Sequence, residues 1–482
     1  MVLKSAEKIQ ATTKSLVENI KLGLDQVGNP IAVIENDGNP ETYHITARSF
    51  RKVIIYEGRA LDFIFTSREI ESIQQALCDA AEAAENELHV CLRVASIDGG
   101  VELDVGDKEQ ARIRLSHGNV ELIKEGSKVL FYRPPSMLPF VMPSEEGNLD
   151  LLFPYLNFDE DHAWLLIIWI CFTLSTPRSD HASYPILVLI AEQGASKSTT
   201  CKLIVRSLLD PSQMGIQGFP SNRQDMVLSA NNAHILIYDN LRYLSKKWSD
   251  ILCIASTGGN DPTRRLYTDS ELVNHPFQVP LVLNGIHDFV EEPDLAQRCL
   301  RLELKSISED TRRDEKEFTD EFNADLPKIF KGILDLTANI LEKLPTANVT
   351  HPERMLGFVR YLAAAEEVME METGKLQSLY SGILNDTQRD SMLSNPVALA
   401  VYTLVTDKKS KDEWSGTPTE LLEKLNDPMS LSGYRDRSFP TNPIALSKQL
   451  SALKAPLLSQ NIEVVFTRGK ERRITIKNLD AY

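Results

Sequence analysis

A polar loop between an apolar run and a helical segment has the residue types of a phosphate-binding loop. The run YPILVLI (184–190) predicts a strand that ends abruptly, and CKLIVRSLLD (201–210) predicts the helix that follows it. Between them, Gly194 allows a tight turn, Lys197 can reach phosphate oxygens, and Ser198 supplies a hydroxyl for Mg²⁺. The helix N-terminus adds a favourable dipole for an anion. This spacing favours a nucleoside triphosphate site.

Two positions depart from the usual phosphate-binding pattern, because Ala191 and Ser196 stand where glycine is expected. A Ser at a left-handed position costs of order 1 kcal/mol, so the loop alone leaves a ligand-free helix cap open as the alternative. The residues predicted to bind nucleotide in this loop are Gln193, Gly194, Ala195, Ser196, Lys197, Ser198 and Thr199.

Further strand-like runs end in polar residues that suit the same site. AHILIYDN (233–240) ends in Asp239, a carboxylate for the metal, and in Asn240, which can orient water but cannot act as a general base. The next apolar run ends at Asn284, which suits a residue that positions the attacking water. Arg298 precedes another strand, where it could stabilise phosphate in a neighbouring subunit. For each residue alone, an Asx turn at Asp239 or a solvent-exposed role for Arg298 remains an alternative. The order of these residues along the chain favours a site that binds ATP with Mg²⁺.

The pattern along the chain predicts an α/β core between other modules. Residues 1–87 are predicted to be a mixed α/β region in which RKVIIYEG and ALDFIFT resemble short strands. Alternating strands and helices in 150–310 predict a parallel sheet, and a helical period in 311–405 predicts a helical lid. The other predicted domains are a small β-rich domain at 88–145 and a helix, helix, hairpin module of winged-helix outline at 412–482.

Composition excludes a protein that coats nucleic acid generally. The 482 residues carry a net charge of −16, although residues 431–482 hold nine Lys and Arg against four Asp and Glu. Six scattered cysteines without a CxxC pair predict reduced thiols. The most apolar segment, 163–174, is too short to cross a bilayer and predicts a buried helix. We therefore expect a soluble cytoplasmic protein that does not bind membranes.

Residues 88–405 resemble ATP-binding proteins of phages and mobile elements. That group is related to superfamily three and poxvirus-type primase-helicases of the AAA+ class. The stretches that carry the resemblance are FYRPPSMLP, AEQGASKSTTCKLIVRSLLDP, NRQDMVLSANNAHILIYDNL, WSDILCIASTGGNDPTRRLYTDSE, VPLVLNGIHDFVEEPDLAQRCLRLEL and RMLGFVRYLAAAEE. The resemblance implies an AAA+ P-loop core with ATP and Mg²⁺ as cofactors and assembly into a ring, as a hexamer.

The resemblance also implies roles for arginines outside the loop. Arg298 matches an arginine finger that acts on the neighbouring subunit, and Arg354 matches a sensor in the lid. TGGNDPTRRLYTD lies where ring helicases carry a DNA-contacting hairpin, so Arg264 and Arg265 are candidates for DNA or for the adjacent nucleotide. A loop salt-bridged to nearby aspartates is the alternative for this pair. The basic residues of the C-terminal hairpin could contact DNA or take part in protein docking, and both alternatives remain open. These residues are Arg468, Lys470, Arg472 and Arg473.

Two functions compete for this chain. The first is an ATP-dependent helicase or translocase of a prophage or mobile element, acting on single-stranded or forked DNA. The second is a nucleotide-gated regulatory ATPase with slow or no turnover, acting with protein partners in a defence or replication-initiation complex, which Asn240 favours. Primase activity in residues 1–145 has weak support, because no acidic triad stands out and Asp98, Glu102 and Asp104 are expected to face solvent.

Overall fold

The computed structural model describes most of the chain. The described residues are 5–35, 38–178, 182–191, 197–264, 272–306, 313–406, 412–426, 439–468 and 472–481. They form two compact units. A large unit holds residues 1–241, 254–287 and 302–379, and a small unit holds residues 242–253, 288–301 and 380–482.

The described residues up to 131 form three small sheets and three helices. Their elements are α1 (Ser5–Asn19), β1 (Lys21–Asp25), β2 (Pro30–Ile34), β3 (Glu41–His44), α2 (Phe50–Ala60), α3 (Ser67–Ala83), β4 (Glu87–Leu88), β5 (Val90–Cys91), β6 (Val94–Ile97), β7 (Gly100–Asp104), β8 (Arg112–Ser116), β9 (Asn119–Ile123) and β10 (Leu130–Phe131). One sheet has the order β3-β2-β1-β4, and β6 to β9 pair in sequence as an antiparallel sheet. The described residues of 5–87 therefore contain both helices and strands, and the regular elements of 88–131 are strands.

The predicted α/β core contains one parallel sheet. Its elements are α4 (Glu160–Ser175), β11 (Ile186–Ile190), α5 (Lys197–Thr199), α6 (Arg206–Leu209), β12 (Gln217–Gly218), α7 (Arg223–Ala230), β13 (Leu236–Leu241), α8 (Lys246–Thr257), β14 (Asn260–Arg264), β15 (Leu272–Pro276), β16 (Leu281–Gly285), α9 (Pro293–Ala296) and β17 (Cys299–Glu303). The sheet order is β12-β13-β16-β11-β17, and β16 pairs in parallel with both β13 and β11. The strands of the predicted loop and of the predicted carboxylate therefore flank β16.

The remaining elements are mostly helical. They are α10 (Glu315–Lys343), α11 (Leu356–Val368), α12 (Lys375–Leu393), α13 (Pro396–Thr406), β18 (Glu413–Gly416), α14 (Pro418–Leu425), α15 (Pro443–Leu458), β19 (Ile462–Arg468) and β20 (Arg472–Asn478). In the large unit α10 and α11 pack on each other and on α4. Helix α4 is apolar and buried on every side, as its sequence predicts.

Three expectations differ from the structure. RKVIIYEG belongs to a helix rather than a strand, because the buried residues Phe50, Ile54 and Gly58 recur every four positions. ALDFIFT is not a strand either, since it runs from the last residue of α2 to the N-cap of α3. Glu102 and Asp104 do not face solvent. They lie buried in the β-rich sheet, where strand neighbours supply compensating arginines: Arg114 Nη2 lies 2.7 Å from Glu102 Oε1, and Arg112 Nη1 lies 2.6 Å from Asp104 Oδ1.

The third difference concerns the lid boundary at residue 405. Val397 and Val405 of α13 share one hydrophobic core with Leu421, Leu450 and Ile474. Helix α13 therefore belongs to the C-terminal module, in which β18, β20 and β19 form a three-stranded antiparallel sheet.

Asp210 ties three parts of the large unit together. Its carboxylate accepts hydrogen bonds from Arg93 Nε at 3.1 Å and from the His234 backbone N–H at 2.8 Å. Arg206 Nη1 lies 3.5 Å away on the preceding helical turn. Arg93, fully buried, also donates to the carbonyl oxygens of Leu138 and Pro211. The end of α6, the start of β13 and the β-rich domain thus meet at one carboxylate.

Removing this carboxylate should strongly destabilise the large unit. Asp210→Ala leaves the buried guanidinium groups of Arg93 and Arg206 without their anion, and we expect a loss of about 3–5 kcal/mol in the free energy of unfolding. Urea unfolding followed by tryptophan fluorescence measures it. Glu18→Ala is the matched control, because its 3.8 Å pair with Lys14 is exposed. A loss no larger than that of the control would contradict the role of Asp210.

His234 should make stability depend on pH. Burial, reinforced by the charge of Arg178, lowers the pKa of this imidazole to about 4. Between this value and the ordinary value near 6.5 the unfolded chain binds the extra proton, so stability falls as pH drops through that window, by about 3 kcal/mol in total. His234→Gln should flatten the dependence, whereas exposed His89→Gln should not. Parallel wild-type and His234→Gln profiles of melting temperature against pH would refute this assignment.

Candidate functional site

The predicted carboxylate and hydroxyl meet at the carboxyl edge of the parallel sheet. Ser198 Oγ donates a hydrogen bond to Asp239 Oδ2 at 3.1 Å. Ser198 lies in the first turn after β11, and Asp239 lies near the end of β13. Hydroxyl and carboxylate oxygens are hard ligands that suit Mg²⁺. No group of three or more His, Cys, Asp and Glu side chains in the described ranges could hold a metal by itself. The pair therefore fits an ion that takes its other ligands from water and phosphate.

Lys197 lies at the same edge. Its ammonium donates to the carbonyl oxygen of Ala191 at 2.5 Å. Partial burial lowers its pKa, while the negative charge of Asp239 acts in the opposite direction. Lys197, Ser198 and Thr199 form the first residues of a helix that continues through a π-helical stretch, Thr200–Val205. A cation and a helix N-terminus therefore face the space after β11, where an anion is favoured. Gln193, Gly194, Ala195 and Ser196 lie outside the described residues.

Asn284 is buried beneath this edge of the sheet and is not exposed to solvent. Its side chain is buried at the end of β16 and donates to Cys201 Sγ at 3.9 Å. Cys201 is on the helix that begins at Lys197, and burial raises the pKa of its thiol to about 12. Asn284 therefore links the central strand to the helix that begins at Lys197.

Asn240 lies in a bulge at the end of β13. The pairing of β13 with β16 shifts between Tyr238 and Leu241, and Asn240 has a φ of 61°. Its backbone N–H donates to Asp239 Oδ1 at 2.7 Å, and its side chain is exposed. Bulges re-aim side chains next to functional sites, and Asn tolerates the left-handed conformation better than most residues do. A backbone requirement thus accounts for the asparagine.

Two arginines do not lie where the resemblance implies. Arg298 is only 6% exposed, and Asp294 Oδ1 holds its guanidinium at 2.7 Å within the small unit. An arginine that reaches into a neighbouring subunit must be exposed, so this conformation does not fit an arginine finger. Arg354 lines a cavity of about 560 Å³ together with Ala182 and Ser183. Those two residues precede β11, so Arg354 lies at the edge of the sheet opposite to Lys197 and cannot be a sensor for the same chain's loop.

The DNA-binding candidates are only partly described. A hairpin of β14 and β15 forms at the predicted place, from Asn260 paired with Pro276 to Arg264 paired with Leu272, and Arg265 lies outside the described residues. In the small unit, Arg472 and Arg473 are exposed on β20, with the Arg472 guanidinium 5.4 Å from the ring centre of Phe466. Arg468 ends β19, and Lys470 lies outside the described residues.

The fold and this edge define an α/β protein with a parallel sheet. The chain belongs to the family of actinomycete integrative conjugative element replication proteins, whose model matches residues 149–390. The model of the C-terminal domain of these RepA proteins matches residues 397–481, which agrees with the place of α13. The chain is thus a replication protein of a mobile element, as the resemblance implies.

Other comparisons add little. No curated protein matches. Two apo, A-form structures of the NrS-1 C-terminal region match nearly end to end. One is 10% identical, with 98% of this chain and 99% of that chain covered and a TM-score of 0.42. The other is 11% identical, with 97% and 99% covered and a TM-score of 0.41. These scores are too low to support a conclusion. In the described part of the chain, no helix has the length and apolarity that a membrane span requires.

The backbone at Asn240 predicts a specific order of variants. Asn240→Gly should keep the stability of the wild type, because glycine adopts a positive φ freely. Asn240→Ala should lose about 1 kcal/mol of unfolding free energy. Urea unfolding of the two variants measures the difference. Equal stability of the alanine and glycine variants would show that the bulge does not need this conformation.

Proposed function

We propose that the chain is a Mg²⁺-dependent ATPase that moves along or unwinds DNA during replication of the mobile element. The contact between Ser198 and Asp239 at the edge occupied by Lys197 carries this proposal, because it joins a hydroxyl, a carboxylate and a cation where a phosphate-binding loop is predicted. Lys197 would bind the β and γ phosphates, and Ser198 and Asp239 would hold Mg²⁺. When bound, the ion neutralises charge on the phosphates. Family membership supports a role in replication.

The water-positioning residue in this proposal is an amide. Asn240 is exposed beside Asp239, whereas Asn284, at the end of the strand between β11 and β13, is buried against Cys201 and would act through the helix that begins at Lys197. The Asn240 amide can orient a water molecule but cannot take its proton. Turnover should therefore depend on positioning and charge, as is usual in phosphoryl transfer.

DNA contact and assembly complete the proposal. The order α13, β18, α14, α15, β19 and β20 supports a winged-helix domain whose exposed Arg472 and Arg473 bind phosphates. The β14–β15 hairpin supports a second DNA contact through Arg264 and Arg265. A ring with ATP between subunits rests on the AAA+ resemblance. Since Arg298 is buried and paired, ring formation would need another exposed cation or a movement of α9.

A nucleotide-gated switch is the second candidate, and Asn240 favours it. Without a carboxylate at this position, ATP could be held without rapid turnover and could control assembly of a replication-initiation complex. Single-turnover hydrolysis with and without DNA separates the two functions. Hydrolysis stimulated by DNA, together with strand displacement, supports the motor. Tight binding of ATP without turnover supports the switch.

Lys197→Ala should reduce Mg²⁺-dependent ATP turnover about a hundredfold or more, because the cation that binds the phosphates is lost. Asp239→Asn should weaken ATP binding in the presence of Mg²⁺ and have little effect with EDTA. Phosphate release and calorimetric titration measure these effects. Lys202→Ala is the matched control, since this lysine is exposed on the same helix. If Lys197→Ala turns ATP over at the rate of Lys202→Ala, the assignment fails.

A further inference from the structure

The exposed side of α2 carries an organised set of cations and apolar groups. With about 100° between successive residues of a helix, positions 52, 55, 56 and 59 fall within one stripe about 100° wide. Arg48 lies in the turn two residues before the helix. We call this stripe together with Arg48 the α2 face, and its members are Arg48, Lys52, Ile55, Tyr56 and Arg59. All five are exposed, and Tyr56 is 77% exposed. The opposite side of α2 is buried through Phe50, Ile54 and Gly58.

The charge of this face is not neutralised by its own helix. The one carboxylate of α2, Glu57, points toward α1, where it accepts a hydrogen bond from Ser15 Oγ at 2.5 Å. No residue in the described ranges forms an ion pair or side-chain hydrogen bond with Arg48, Lys52 or Arg59. Residues 1–87 as a whole are acidic, with 14 Asp and Glu against nine Lys and Arg, and four of those nine lie between positions 48 and 59. The positive charge is therefore concentrated on one surface of an acidic region.

The aromatic residue of this face stands between two cationic residues along the helix. Tyr56 follows Lys52 by four residues and precedes Arg59 by three, so the positions of the two cations are about 10 Å apart along the helix axis and position 56 lies between them. Just beyond the helix, Ile64 is 85% exposed. Cations bind the backbone of a nucleic acid, and an exposed aromatic ring stacks on an unpaired base. In a duplex the bases are already stacked on one another.

We infer that the α2 face binds single-stranded DNA. This contact lies outside both family matches, which cover residues 149–390 and 397–481, and it is separate from the hairpins discussed above. The inference adds a DNA contact to the proposed function. It rests on that proposal only for the identity of the ligand as DNA. Binding needs neither ATP nor the residues at the sheet edge.

The test is fluorescence anisotropy of the full chain with a labelled mixed-sequence single strand, without nucleotide, over a series of salt concentrations. Lys52→Ala and Arg59→Ala should each weaken binding and make the slope of log affinity against log salt shallower by about 0.7. Tyr56→Ala should weaken binding about tenfold and leave the slope unchanged, whereas Tyr56→Phe should bind like the wild type. These substitutions are on the exposed side of the helix, so folding should be retained.

Lys14→Ala is the matched control, because Lys14 is an exposed cation on α1. The matching duplex and the same sequence as RNA form the other arms. Binding by the three α2 variants that equals the control overturns the inference. If the α2 variants bind DNA as the control does but sediment differently, the face serves contacts between copies of the chain. If the variants lose as much affinity for the duplex as for the single strand, the single-strand assignment is overturned. If the chain turns over ATP but binds no single strand, this inference fails while the ATPase proposal stands.

Discussion

The buried carboxylate of Asp210 constrains the candidate site through two elements, a helical segment and the strand β13. It fixes one end of each element, and the opposite ends carry Ser198 and Asp239, the candidate Mg²⁺ ligands. The helical segment that begins at Lys197 ends at Asp210, and β13, which carries Asp239 near its end, begins two residues after His234, whose N–H donates to the same carboxylate. A charged group without water is costly unless its partners satisfy it, so Arg93, Arg206 and the His234 N–H cannot move away from Asp210 independently. The contact between Ser198 and Asp239 therefore depends on a network one helix length away, and the β-rich domain joins that network through Arg93.

The same network limits how the site can respond to a ligand. The helix after the loop is not uniformly α-helical, since Thr200–Val205 is π-helical, and Cys201 within it contacts Asn284 on the central strand. A π-helical segment is wound more loosely than an α-helix. It is therefore an irregular stretch in a helix whose end is fixed at Asp210. Movement at Lys197 would therefore be absorbed between the loop and Arg206 rather than transmitted to Asp210.

Much of this arrangement could be predicted from the sequence, because hydrophobic runs reveal the strands and strand ends reveal the polar edge. Lys197 and Ser198 follow β11, and Asp239 and Asn284 lie near the ends of β13 and β16. Strand ends predict that these residues share one site, but the order of the strands in the sheet does not follow from the order of the residues along the chain. The prediction of a strand fails for RKVIIYEG, because the buried positions of α2 recur every four residues. The prediction of solvent exposure fails for Glu102 and Asp104, because arginines on the adjacent strand neutralise them. Arg298 and Arg354 were assigned by their position in the sequence, which gives no information about burial or about which edge of the sheet they occupy.

The net charge of −16 makes the location of the basic groups decisive for DNA binding. An acidic chain repels a polyanion over most of its surface, so attachment must come from small areas where cations are unpaired. Many arginines of the large unit, including Arg93, Arg112 and Arg206, are buried against carboxylates and serve the fold. The α2 face and the exposed arginines of β20 are different, because their cations are exposed, and the Arg472 guanidinium lies over the ring of Phe466. DNA held at such local surfaces would be bound through few phosphates, so the affinity would fall less steeply with salt than it does for a protein that contacts many phosphates.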